Sequence, residues 1–285
     1  MNAKEMISLA NGMDLPLIGL GTFKARGESV KLAVRTALQQ GIRHIDTASI
    51  YKNEEDIAAA LKEQGVSRQD VFITSKVSPY EQGTGQATRA CQQILQRLQT
   101  DYVDLMLVHW PGVARTDAAS PHNAEMRWQT WQVLEQLQQQ GKARAIGVSN
   151  YSASHLQELL TRAAVKPAVN QFELHPRRQE VALRQACAAA GVAVVAYASL
   201  GCGDLLQQPV VRQVAARTGK TEAQVLLRWA LQQGCAVIPK SVHPQYIQQY
   251  SPQQLLSWQL ADADVAALNA LEDGHKYCWD ASNIL

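Results

Sequence analysis

From about residue 17 to the end of the chain, short apolar runs alternate with stretches whose apolar residues recur at helical spacing. Alternation between strand-like and helical periods is the pattern of βα units around a parallel sheet. The apolar runs predict strands at LIGLG, RHID, VFIT, YVDLMLVH, RAIGVS, AVNQFE, VAVVAYA and CAVIP, eight in all. Between them the spacing predicts helices over 28–40, 54–62, 85–98, 124–139, 153–161 and 178–189, and over 209–233 in two pieces. The second of those pieces opens as Thr221-x-x-Gln224, a capping box that satisfies free N–H groups at a helix start. Eight strand–helix repeats imply a closed (β/α)₈ TIM barrel.

Ahead of the first repeat, ISLANGMDLP holds two short strand-like runs around Asn11-Gly12, a strong hairpin signal. An N-terminal β-hairpin there is expected to close the barrel floor. No Pro/Gly/Ser linker divides the chain, although 111–123 reads as a long polar loop after the fourth strand, so residues 1–285 are expected to form a single barrel domain. An open doubly wound sheet is the rival fold. It needs a glycine-rich first turn, and Gly19-Leu20-Gly21 lacks the third glycine of that fingerprint. Gly219-Lys220-Thr221 imitates the end of a P-loop, but Val214 stands where the earlier glycine is required.

Composition narrows the function. With 46% hydrophobic and 18% charged residues, the chain can bury a large core without disulfides or metals. Its five cysteines are scattered, form no C-x-x-C pair and read as free thiols of a reducing, cytoplasmic compartment. No apolar run is long enough to span a membrane, and the N-terminus lacks a signal-peptide core. A net charge of +2 without basic clusters gives no reason to expect nucleic acid. Nothing in the pattern calls for an obligate protein partner, which leaves a small-molecule substrate.

In a parallel barrel the active site lies at the C-terminal ends of the strands. Polar residues there are Thr22, Asp46, Lys76, His109, Ser149, Asn150, Gln171, Tyr197, Lys240 and Ser241. Singly, each has an ordinary explanation as a helix cap, a solvated charge or a bonded core histidine. Together, a carboxylate, an ammonium, a phenol and an imidazole on one rim can run proton transfer. His44 and Asp46 share a strand face, but no third ligand lies near and no metal site is expected. His175 reads as a structural loop histidine, and Trp128 and Trp131 as helix-packing residues.

These residues resemble the aldo-keto reductase family. Gly41 to Ala48 with Tyr51 and Asn53-Glu54 is similar to its signature around an aspartate and a tyrosine. Ile73-Thr74-Ser75-Lys76 resembles its lysine strand, and Asp101 to Pro111 its histidine strand. Ile146 to Tyr151, Asn170 to Pro176 and Ile238 to Ser241 match further motifs in order along the chain. The likeness is to the prokaryotic-type reductases of diketogluconate and methylglyoxal.

The resemblance implies NADPH-dependent reduction of aldehydes and activated ketones, with NADH as a weaker alternative. It makes Tyr51 the proton donor, Lys76 the group that depresses its pKa, Asp46 the partner of Lys76, and His109 the group that orients the carbonyl. It assigns Ser149, Asn150 and Gln171 to the nicotinamide carboxamide, Tyr197 to stacking, Ser199, Leu200 and Gly201 to the pyrophosphate, and Lys240 and Ser241 to the 2′-phosphate. Gly21, Thr22, Phe23, Asp46, Val242 and Tyr246 complete the implied cofactor contacts. Phe23, Ile50, Tyr51, Ser78, His109, Trp110 and Trp279 are the implied substrate contacts. The chain departs from the family in three places: Ser78 replaces a common tryptophan, the run Tyr197-Ala198-Ser199-Leu200 lacks the usual proline between tyrosine and leucine, and Tyr246 replaces an arginine six residues after Lys240. Two rival readings are a cofactor-binding regulatory or structural barrel of low activity, and a Schiff-base lyase using Lys76 as nucleophile.

Overall fold

The computed structural model describes residues 5–285. An antiparallel hairpin, β1 (Met6–Ser8) and β2 (Asp14–Pro16), precedes eight parallel strands. These are β3 (Gly19–Gly21), β4 (His44–Asp46), β5 (Phe72–Val77), β6 (Val103–Val108), β7 (Ala143–Ser149), β8 (Val169–Glu173), β9 (Ala193–Tyr197) and β10 (Ala236–Val237). Each pairs with the next in chain order, and bridges Ile18 to Val237 and Gly21 to Lys240 bring the last strand back to the first. The predicted parallel barrel is the fold found. Its seam is two short bridges rather than a full ladder.

The helices are α1 (Glu28–Gln39), α2 (Glu54–Glu63), α3 (Thr84–Leu98), α4 (His122–Gln139), α5 (Ala153–Arg162), α6 (Val181–Ala190), α7 (Pro209–Thr218), α8 (Glu222–Gln232), α9 (Pro244–Gln248), α10 (Pro252–Leu256) and α11 (Asp262–Asn269). The capping box at the start of α8 is present, with Gln224 N–H donating to Thr221 Oγ1 at 3.2 Å and Thr221 N–H to Gln224 Oε1 at 3.1 Å. Helix α6 starts later than its periodicity predicts. Residues His175 and Arg178 form an antiparallel bridge, and Glu180 adopts a left-handed φ of 46°, which no helix interior accommodates.

Two apolar layers hold the barrel. Alternate residues face its interior, so Leu105 and Leu107 of β6 pack there with Phe72, Ala145, Val169, Val195 and Ala236. Their neighbours Met106 and Val108 pack outward against the helices with Ile45, Ile73, Ile146 and Val148. Leu9 and Leu15 of the hairpin join the inner cluster and close one end, and Asn11 Nδ2 donates to the Arg144 carbonyl at the start of β7. The interior is tight. A side chain at Gly147 would lie 2.5 Å from the Val169 carbonyl and 2.9 Å from Leu107.

Candidate active site

Period two along each strand decides what reaches the open end. On β5 Phe72 packs into the inner cluster and Ile73 into the outer, which turns Thr74 and Lys76 inward. On β4 Ile45 points out, so His44 and Asp46 point in, with Gly21 and Asp46 side by side in register. The same count places Gln171 and Glu173 of β8 and Tyr197 of β9 inward. His44 is taken up in the layer below, where it contacts Thr74 Oγ1 at 2.9 Å and burial lowers its pKa to about 4.

The floor of the site is a buried ion pair. Lys76 Nζ donates to Asp46 Oδ1 at 2.5 Å and to the Thr47 carbonyl at 2.9 Å, and both charged side chains are sealed from solvent. Gln171 Nε2 donates to the other carboxylate oxygen, Oδ2, at 2.8 Å. Burial lowers the lysine pKa, and the contact with Asp46 opposes that.

Tyr51 stands above this pair on a short helical turn, Ser49–Tyr51, that ends at Lys52 in a left-handed conformation. Its ring lies 5.2 Å from Lys76 Nζ and edge-on to His109 at 5.7 Å. The turn is held by Asn53, which accepts from Thr47 Oγ1 at 2.6 Å and donates to the carbonyls of Thr22 at 3.0 Å and Ala25 at 2.9 Å. Burial, reinforced by the charge on Asp46, pushes the phenol's pKa well above the ordinary tyrosine value. Burial and then Lys76 hold His109 well below the ordinary histidine value, so its ring is neutral, and its buried Nδ1 has no partner among the described residues.

Ser149, Asn150 and Tyr197 form one hydrogen-bonded group beside the pair. Ser149 Oγ donates to the Gln171 carbonyl at 2.8 Å, Asn150 Nδ2 to Ser149 Oγ at 3.1 Å, and Tyr197 OH to Asn150 Oδ1 at 2.6 Å. Asn150 has a left-handed φ of 64°, which an asparagine tolerates better than most side chains. After β9 the chain turns through Ala198, Gly201, Cys202 and Gly203, all at positive φ. Among the described residues Ser199 Oγ, buried there, has no partner, an exception to the usual satisfaction of buried hydroxyls. Leu200 packs against the outer core, as does Val242.

Gly21 lies at the seam: a side chain there would meet the Ile238 carbonyl at 2.6 Å, and its absence lets the strand carrying Lys240 close in. Thr22 Oγ1 donates to the Asp46 carbonyl at 2.8 Å. Lys240 is exposed, and Ser241 Oγ accepts from His243 N–H at 3.1 Å. Tyr246 is exposed on α9 with its ring edge-on to His243 at 5.6 Å. Around the mouth, Phe23 lies 5.1 Å from the Tyr51 ring and 6.3 Å from Trp279. Ile50 is exposed, Trp110 partly so, and Ser78 is buried, its N–H donating to Glu81 Oε2 at 3.0 Å.

One participant, Glu173, is not among the sequence candidates. Glu173 is fully buried and accepts from Tyr277 N–H at 2.6 Å, Cys278 N–H at 3.1 Å and His175 Nε2 at 3.0 Å. Burial pushes its pKa up, but these bonds and Lys276 outweigh it and leave it below the ordinary carboxylate value. This carboxylate fixes the C-terminal tail at the mouth. His175, read as a structural histidine, is part of that anchor, and only the period-two count on β8 could have pointed Glu173 inward.

A phenol, a neutral imidazole and a buried ammonium–carboxylate pair thus meet at one end of a parallel barrel, an arrangement able to move a proton to a bound small molecule. The Aldo/keto reductase family model matches residues 17–273, and the chain belongs to that family. It is 42% identical over 269 residues to a glyoxal reductase of Bacillus subtilis, covering 94% of this chain and 93% of that one. It is 37% identical to a yeast (Saccharomyces cerevisiae) glycerol 2-dehydrogenase (NADP(+)), covering 86% and 85% of the two chains. Among solved structures, an aldo-keto reductase from a Medee basin deep-sea metagenome library superposes with a TM-score of 0.88 at 34% identity, covering 98% of this chain and 99% of that chain. The protein is thus an oxidoreductase of this family. Among the described residues no helix is long and apolar enough to cross a membrane.

Proposed function

We propose that this chain reduces aldehydes and activated ketones to alcohols with NADPH, working as one barrel unit with Tyr51 as the proton donor. The observation that carries the reading is the placement of Tyr51 beside a neutral His109 and over the sealed Lys76–Asp46 pair. NADPH, when bound, supplies the hydride. Tyr51 keeps its proton through the working pH range because burial raises its pKa, and it delivers that proton to the carbonyl oxygen as negative charge develops there. His109, uncharged, donates an N–H to the same oxygen and sets its direction. Lys76 stabilises the tyrosinate left behind, and Asp46, held in turn by Gln171, keeps Lys76 in place.

The residues present fit the cofactor. Ser149, Asn150 and Gln171 offer a polar group for a carboxamide next to the Tyr197 ring. The unpartnered Ser199 hydroxyl, with Leu200 and Gly201, lines a turn suited to the pyrophosphate. Lys240 is an exposed ammonium, and with Ser241 it would meet the 2′-phosphate. Thr22, Phe23, Val242 and Tyr246 would border the adenosine and nicotinamide ends, with NADH a weaker substitute. Phe23, Ile50, Trp110 and Trp279 give the substrate a mostly apolar wall, with Ser78 set back below it. The names of the B. subtilis and yeast relatives, a glyoxal reductase and an NADP(+) dehydrogenase, support small carbonyl substrates. The bonding of Lys76 to a carboxylate and a carbonyl leaves it an ammonium rather than a free nucleophile, which speaks against a Schiff-base lyase.

The test is a panel of methylglyoxal, phenylglyoxal, nitrobenzaldehyde and a bulky steroid ketone, assayed with NADPH and NADH. Turnover of the small carbonyls with NADPH preferred is expected. Absence of NADPH oxidation with every aldehyde would replace this reading with a cofactor-binding barrel of another role.

A further inference from the structure

Two of the five free cysteines, far apart in sequence, meet at the barrel mouth. Cys202 lies in the turn after β9, and Cys278 in the C-terminal tail. The two segments are packed together independently of the thiols. A side chain at Gly201 would lie 2.7 Å from the Tyr277 ring, Tyr277 OH donates to Asp204 Oδ2 at 2.5 Å, and Arg177 Nη1 donates to Tyr277 OH at 3.2 Å. On the other side Glu173 pins the backbone N–H groups of Tyr277 and Cys278. These contacts bring the Cys202 and Cys278 thiols close enough to influence each other electrostatically. Cys202 is exposed, Cys278 half-buried, and Cys91, Cys187 and Cys235 are buried elsewhere.

We propose that Cys202 and Cys278 form a dithiol modification site that hydrogen peroxide converts to a disulfide, clasping the tail onto the turn that carries Ser199 to Gly201. The exposed Cys202 attacks the peroxide first: its sulfur gains one oxygen as a sulfenic acid, the O–O bond breaks, and one water leaves. The Cys278 sulfur then attacks that sulfur, the S–S bond forms, and the departing hydroxide combines with the Cys278 proton as a second water. Two thiols supply the two electrons that reduce one peroxide to two waters. Cys278 faces Glu173 of β8, Cys202, Lys276 of the tail, and the Tyr51 and Tyr197 phenols. Burial first, then Glu173 and Cys202, push its thiol up to about 12, so the resolving step is slow at neutral pH and quickens as pH rises.

The consequence for the groove rests on the cofactor placement proposed above; the chemistry does not. A clasp across the turn slows escape of anything lying along it, so the disulfide form is expected to release NADPH severalfold more slowly than the dithiol form.

The experiment treats the full chain with hydrogen peroxide at neutral and at alkaline pH, quenches with an alkylating agent, and reads intact mass and a non-reducing peptide map. Expected is a loss of two hydrogens in one cross-linked peptide pair carrying Cys202 and Cys278, faster at alkaline pH and reversed by dithiothreitol. Cys202→Ser and Cys278→Ser should each abolish it. Oxygen added to Cys202 with no cross-link at either pH, or a cross-link through another cysteine, overturns the site. Stopped-flow fluorescence of bound NADPH reads the clasp, and equal release rates in the two forms overturn that part. Failure of NADPH to bind at all would sink the functional reading while the mass result still decides the dithiol.

Discussion

Replacing Asp46 by asparagine isolates the ion pair under the active site. Both charged side chains are out of solvent, so the substitution leaves an ammonium buried without its counter-charge. Breaking a buried pair from one side costs about 3–5 kcal/mol, and the amide oxygen can still accept one bond, which favours ~3 kcal/mol. In a chain of this size ~2 °C of melting temperature goes with each kcal/mol, so a fall of ~6 °C is expected. The loss should depend on pH. Burial already lowers the Lys76 pKa, and Asp46 is the interaction that opposes this, so the variant's lysine has a lower folded value still. Between that folded value and the ordinary lysine value the unfolded chain binds more protons, and stability rises with pH. The deficit of Asp46→Asn against wild type should therefore shrink as pH is raised from neutral towards the lysine range. Adding Lys76→Met removes the orphaned charge, so the double variant should recover much of the lost stability while remaining without reductase activity. Chemical denaturation at several pH values measures all three variants against wild type. A pH-independent deficit, or a double variant no more stable than Asp46→Asn, would refute the argument that a stranded ammonium is the cost.

Three further outcomes are expected. Tyr51→Phe should lower kcat by ~10²–10⁴ with cofactor affinity almost unchanged, read by steady-state kinetics and fluorescence titration; retention of most activity would remove Tyr51 from the donor role. The kcat/KM profile should show no inflection near the ordinary histidine pKa, because His109 is held well below it and is already neutral across that window; a limb there that disappears in His109→Gln would contradict this. Tyr246→Arg should widen the preference for NADPH over NADH, mainly by lowering the KM for NADPH, since a guanidinium can pair with a phosphate that Tyr246 meets at most with one neutral donor; an unchanged ratio would place residue 246 away from the 2′-phosphate.

The barrel was legible because strand and helix periods differ strongly and each apolar run was bounded by turn residues. Strand-end polarity likewise found Asp46, Lys76 and His109. Three features stayed hidden, each for a physical reason. The short helices α9, α10 and α11 lack the repeated apolar spacing of the longer ones. Ser152 and His155 form a capping box in which a histidine replaces the usual glutamate or glutamine, so the sequence rule passes over it. Glu173 and the Cys202–Cys278 contact depend on where the tail docks, and pairings that distant leave no local trace. Proximity of Tyr51 to Lys76 can be inferred from the strand order, but the extent of its burial, which dominates its pKa, cannot.

The Asn53 clamp divides the pocket into a fixed half and an exchangeable half. By binding the carbonyls of Thr22 and Ala25 while holding Thr47, it locks the loop that carries Phe23 to the turn that carries Tyr51, and Arg26 Nε adds a bond to the Tyr51 carbonyl at 3.0 Å. That wall cannot be reshaped without moving the donor. Trp279, by contrast, belongs to a tail moored on the opposite side of the barrel by Glu173. Retargeting this scaffold to new carbonyls is therefore a task for tail grafting: libraries confined to residues beyond Cys278 can vary what is admitted, and the proton-transfer geometry stays as the barrel built it.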